Sequence, residues 1–158
     1  MGMAVGERGG MMITKLRAWD KETKIMLVVN NICNLFWDSK FIEGYELVPD
    51  PKGKHEYELI DHRIDLDDAI IMESTGLFDI STPQKEIFEG DIVIFTMRFG
   101  KRSTKSIGVV TFDKNELCFR VRNNIGGHYI TFLHSRYLEV IGNIYENPEL
   151  LEEVEDDT

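Results

Sequence analysis

Val93, Phe95, Met97 and Phe99 occupy every second position of one stretch, directly after Glu89-Gly90-Asp91. A period of two puts all four side chains on one face of an extended strand, so this stretch reads as a strand with a core side. The residues leading into it are punctuation. Gly76 and Gly90 are turn residues able to take positive φ, and Pro83 between them interrupts any helix. An acid-Gly-Asp turn opening into an alternating apolar strand is a common entry to a small, strongly bent β-barrel.

The same grammar recurs along the chain. Apolar segments at 13–20 and 25–29 flank the polar run Lys21-Glu22-Thr23-Lys24, which predicts a β-hairpin. Tyr45-Glu46-Leu47-Val48 and Glu56-Tyr57-Glu58-Leu59-Ile60 flank a turn containing Pro49, Pro51 and Gly53, which predicts a second. Residues 31–42 fit a short helix or a twisted strand equally well. Asp61 to Asp68 reads as a polar, acidic linker, and Ala69 to Glu73 as a short strand. Beyond Phe99, Gly100 to Ser106 reads as a basic loop and Ile107 to Phe112 as the returning strand. Asp113 to Glu116 is a turn, followed by Leu117, Phe119 and Val121 alternating with Cys118, Arg120 and Arg122. Tyr129–Leu133 and Leu138–Ile144 complete the set. Five short strands at about ten-residue spacing suggest a barrel or sandwich. Val93, Phe95, Phe119, Val121 and Val140 are its expected interior.

The predicted organisation is a flexible leader over 1–11, an N-terminal β-rich region over 12–74, an SH3-like barrel over 75–147 and an acidic tail over 148–158. Pro148 suits the first turn of a short helix. The fold class is mainly β, with α+β character if residues 31–42 are helical.

Composition narrows the functional classes. With 158 residues, the chain suffices for one compact domain or two small ones. No apolar run approaches the roughly 20 residues needed to span a bilayer, and the N-terminus lacks the apolar centre of an export signal. Cys33 and Cys118 stand 85 positions apart in no metal or redox spacing, so a cytoplasmic protein with two reduced thiols is expected. The net charge of −10 is unevenly spread: residues 1–93 carry −8, residues 94–136 carry +6 and residues 137–158 carry −8. The acidity belongs to the ends, and an anionic partner would meet the middle.

Four blocks, Leu16-Arg17-Ala18-Trp19-Asp20, Thr75-Gly76-Leu77-Phe78-Asp79, Glu86-Ile87-Phe88-Glu89-Gly90-Asp91-Ile92-Val93 and Ile141-Gly142-Asn143-Ile144-Tyr145-Glu146-Asn147-Pro148, resemble in sequence and order the signature blocks of the YopX family. Those are small proteins encoded by bacteriophages and prophages. Where that family usually has a turn of the Asp-Lys-Asn-Gly kind, this chain has Asp79-Ile80-Ser81-Thr82-Pro83-Gln84. The resemblance implies a mostly β fold with an SH3-like barrel near the C-terminus. It implies no activity and no catalytic set.

The residues by themselves point to little chemistry. Asp61-His62-Arg63-Ile64-Asp65-Leu66-Asp67-Asp68 lacks the glycine and distal Glu of a calcium loop. His55, His62, His128 and His134 are not spaced for zinc with either cysteine, and no nucleophile motif is present. Gly126-Gly127-His128 reads as a loop entering a strand, and Trp19 and Trp37 read as core. No cofactor, metal or catalytic residue is expected, and the protein is not expected to be an enzyme. The one charged constellation is Arg98, Lys101, Arg102 and Lys105 around one hairpin, with Arg120 and Arg122 on a neighbouring strand. Together these would form an anion or nucleic-acid patch, or else a solvated surface balancing the acidic ends. The expected role is a non-catalytic module binding a phage or host protein. The alternative is a nucleic-acid-associated accessory factor using the basic face. Self-association stays open, and no membrane partner is expected.

Overall fold

The computed structural model describes residues 15–34, 39–123, 129–132 and 137–152. The expectations for residues 1–11, Trp37, Gly126-Gly127-His128, His134 and the end of the acidic tail lie outside these. The chain is mainly β, built as two antiparallel sheets. The first has strand order β4-β3-β2-β1-β5-β6 and the second β10-β9-β8-β7-β11.

Both predicted N-terminal hairpins form. β1 (Leu16–Asp20) pairs with β2 (Ile25–Asn34), and Asp20 caps the turn by accepting the amides of Glu22 and Thr23 and the Thr23 hydroxyl. Residues 31–34 are strand, not helix, since β2 continues past a bulge at Val29/Asn31. β3 (Lys40–Pro49) and β4 (Tyr57–Asp65) pair in unbroken register from Phe41↔Asp65 to Pro49↔Tyr57.

The expected acidic linker at 61–68 is therefore corrected. Asp61–Asp65 belongs to β4, with Asp61, Arg63 and Asp65 alternating against buried Ile64; only Leu66–Asp68 leaves the strand, as one 3₁₀ turn capped by Asp65. Charged side chains do not prevent pairing on a strand whose one face meets water. One face of this sheet buries Ala18, Leu27, Ile42 and Ile64, with Ile25, Val29, Leu66, Ala69 and Ile71 packed around them.

β5 (Ala69–Phe78) runs through the boundary expected at residue 75. Gly76, at φ 73, does not end the strand; it lies within a register shift between Ser74 and Phe78 against β6 (Glu86–Phe88). The second sheet then opens at β7 (Asp91–Phe99), after Gly90.

β8 (Arg102–Asp113) returns against β7 as far as Phe99↔Arg102, so the expected basic loop is corrected to a two-residue turn, Gly100-Lys101. Arg102–Ser106 lies in the ladder, because backbone pairing extends beyond the apolar core. β9 (Cys118–Asn123), β10 (Tyr129–Phe132) and β11 (Leu138–Asn143) complete the sheet. Its core consists of Ile87, Val93, Phe95, Val110, Val121, Leu138 and Val140, with Leu77 and Phe119 packed against it. Four of the five expected interior residues are buried, and Phe119 is half-buried against Phe112 at 5.2 Å between ring centroids. β10 and β11 are the outer strands, and no ladder closes the sheet into a barrel among the described residues. A 3₁₀ turn, Pro148–Leu151, follows with Pro148 in its first turn. Among the described residues no helix is long and apolar enough to cross a membrane.

Candidate functional site

The four signature-like blocks, spread from residue 16 to residue 148, converge where the two sheets meet. Arg17, from β1, places Nη2 2.6 Å from Asp91 Oδ1 at the start of β7. The same nitrogen donates to the Glu89 carbonyl at 3.0 Å, and the guanidinium lies 4.7 Å from the centroid of the Phe88 ring. Trp19, two residues on and on the same face of β1, stacks on Tyr145 at 5.8 Å. Gly90, at φ 83, packs against Met72, Ile144 and Tyr145, and a Cβ there would approach Met72 Sδ to 3.3 Å. Its amide donates to the Val110 carbonyl, and its carbonyl accepts the Ile144 amide. Asp79 accepts the Ser81 hydroxyl and the amides of Ser81, Lys85 and Val140.

These acids are structural in their bonding. Burial is the largest influence on Asp91; it outweighs the nearby Arg17 charge, so the carboxyl titrates above its ordinary range. Burial also pushes Asp79 upward, but the Ser81 hydroxyl and the three amides outweigh it, and its carboxyl titrates below the ordinary range. Asp113 and Asn143 repeat the capping pattern of Asp20, each accepting the amides two and three residues on. Every buried carboxylate among the described residues is thus committed to an amide, a hydroxyl or an arginine. No group of His, Cys, Asp and Glu suited to a metal ion occurs among the described residues.

The basic residues do not gather at one point. Lys101 and Arg102 are exposed at the β7–β8 turn, and Lys105 is exposed opposite Thr96. Register sets Arg98 opposite Ser103; it puts Lys105, Arg120 and Arg122 on one face of the sheet and Arg102 on the other. Arg122 stands opposite Val109, four residues along β8 from Lys105, roughly 13 Å along the strand at about 3.3 Å per residue. Arg120 is turned to internal use: its Nη1 lies 3.3 Å from Asp113 Oδ2. Reading the sequence alone, one sees Arg120 and Arg122 as equivalent because they share a face; the hairpin that brings Asp113 beside Arg120 breaks that equivalence.

A concavity lies on the first sheet. It encloses about 740 Å³ and is walled by Lys15, Arg17, Met26, Val28, Tyr45, Leu47, Glu86 and Phe88. Its floor is apolar. Lys15 and Glu86 pair across one rim at 2.8 Å, so the walls carry little uncompensated charge. Leu47 is 52 % exposed at the far end, and its cross-strand neighbour Leu59 is 62 % exposed. No sequence pattern announced this groove. Its residues come from Lys15 and from β1, β2, β3 and β6, and only the strand order makes them neighbours.

A family model described as YopX protein matches residues 15–152. Among solved structures, the crystal structure of protein EF1440 from Enterococcus faecalis is similar at 30 % identity. The match covers 88 % of this chain and 98 % of that one, with a TM-score of 0.53. No curated protein matches the chain.

Proposed function

The chain belongs to the YopX family, and we propose that it is a phage- or prophage-encoded, non-catalytic protein-interaction module acting in the host cytoplasm. The observation that carries this reading is the apolar groove over β1, β2 and β3, continued by exposed Leu47 and Leu59. Contiguous exposed apolar surface on a small protein marks an interaction site or a ligand-binding groove. The chemistry it suits is an uncharged, apolar segment of a phage or host protein. The engagement of the buried carboxylates in caps and ion pairs supports a role without catalysis. The one-sided core of the second sheet and its bulges, at Val140/Gly142 and Tyr129/Thr131, support reading that sheet as an open relative of the SH3-like barrel. The spacing of Lys105 and Arg122, roughly 13 Å along one face at about 3.3 Å per residue, and the pairing of Arg120 with Asp113 weigh against the nucleic-acid alternative.

The test is site-specific photo-cross-linking from position 47 in host cells, followed by affinity measurement with the purified captured protein. Affinity should fall at least tenfold in Tyr45→Glu/Leu47→Glu and stay unchanged in Lys101→Glu/Arg102→Glu. The reverse pattern overturns the assignment of the groove.

A further inference from the structure

β4 is the outer strand of the first sheet, and among the described residues no strand pairs with its outer side. Long edge strands are ordinarily blunted by proline, charged side chains, a bulge or brevity. Tyr57–Asp65 has nine residues and no proline, and its pairing with β3 shows no register break; its charged residues, Glu58, Asp61, Arg63 and Asp65, decide which strand can be added. It also displays Tyr57, Leu59 and Ile60 at 52 %, 62 % and 43 % exposure. Such an edge is a template for another strand.

We infer that this edge is a two-fold interface, on which β4 of a second copy of the chain adds antiparallel and makes one continuous sheet. A two-fold axis perpendicular to the sheet requires one residue to face itself, and the side chains select which. With Ile60 facing Ile60, Glu58 falls opposite the second copy's His62 and Tyr57 opposite its Arg63, each contact made twice. Arg63 now reaches across β3, its guanidinium 3.4 Å from the Phe41 ring centroid, so its pairing with Tyr57 would extend an existing aromatic contact toward the edge. The two Leu59 side chains become diagonal neighbours on the face of Leu47, at about 7–8 Å. Moving the axis to residue 61 sets two aspartates directly opposite, and moving it to residue 59 sets Glu58 against Ile60 and Asp61 against Tyr57. The Ile60 register brings the two Ile60 side chains, Tyr57 with Arg63 and Glu58 with His62 together; it also sets Leu59 against Asp61 twice, and His62 meets Glu58 by turning from Glu46 of β3, 3.4 Å away. The inference is independent of what occupies the groove, although the pairing would join two grooves into one trough.

Sedimentation and light scattering of the full chain should give twice the 18.3 kDa monomer mass at micromolar concentration. Ile60→Lys should return it to monomer with its circular dichroism unchanged and a melting temperature that no longer rises with protein concentration. On a Cys33→Ser/Cys118→Ser background, Ile60→Cys should cross-link to a covalent dimer under mild oxidation, and Asp61→Cys should not. A monomer at all concentrations, or cross-linking at 61 but not at 60, overturns the inference. So does a dimer indifferent to Ile60→Lys. Loss of partner binding in Tyr45→Glu/Leu47→Glu with the dimer intact would leave the interface standing and concern the groove alone.

Discussion

Asp79 Oδ2 accepts the backbone amide of Val140 at 2.9 Å, across 61 residues of chain. With the Lys85 side chain donating to the Val140 carbonyl at 3.0 Å, this fixes the loop between β5 and β6 onto β11. Asp79→Ala would leave the amides of Ser81, Lys85 and Val140 without their acceptor. Hydrogen bonds to a charged group contribute about 1.5–3 kcal/mol, so a loss of about 3 kcal/mol is expected in urea denaturation. Asp79→Asn, which keeps one acceptor, should lose less. An unshifted midpoint in the alanine variant would refute the role.

Arg17 and Asp91 should behave as a pair. Removing one partner of a buried ion pair typically costs about 3–5 kcal/mol, because it strands the other charge. Arg17→Met should therefore destabilise strongly, and Arg17→Met/Asp91→Asn less than the sum of its single changes. A double-mutant cycle with no coupling would show that the close contact contributes nothing.

Acid stability should reflect opposed carboxylates. Asp79 and Asp20 titrate below the ordinary 3.8, so their contribution is fully present above that pH and is lost as pH falls through their folded-state values. Asp91 titrates above 3.8, so its contribution is present below 3.8 and is lost as pH rises through its folded-state value. Denaturation across the acid range should show Asp79→Asn flattening the decline on the acid side. Asp91→Asn should remove the loss above 3.8. An identical pH dependence in all three proteins would contradict both assignments.

Phe119→Ala should cost about 2–3 kcal/mol, below the roughly 3–5 kcal/mol of a fully buried phenylalanine, because its ring is only half covered. The thermal midpoint measures it. A loss as large as that of a fully buried ring would mean that the ring is enclosed more completely than its exposure indicates.

Fluorescence anisotropy with labelled single- and double-stranded oligonucleotides should detect no binding at physiological salt. Scattered cations release few counterions at any one place. Salt-sensitive binding abolished by Lys101→Glu/Arg102→Glu would reinstate the nucleic-acid reading.

Period-two alternation is a local property, and it sufficed to locate the hairpins and to place Val93, Phe95, Val121 and Val140 in one core. The same locality explains what it could not reach. Asp61–Asp65 looks like a solvated linker until β3 supplies its hydrogen-bonding partner. Arg102–Ser106 looks like a loop until β7 extends alongside it. Arg120 looks free for a ligand until the β8–β9 hairpin delivers Asp113. The four signature-like blocks identified a family from short segments, but their meeting through Arg17–Asp91, Trp19–Tyr145 and Asp79–Val140 depends on strand order and register. So do the groove and the open β4 edge. Side-chain periodicity determines which face of a strand is apolar, whereas the choice of neighbouring strand is made by contacts between distant residues, and these exist only once the chain has folded.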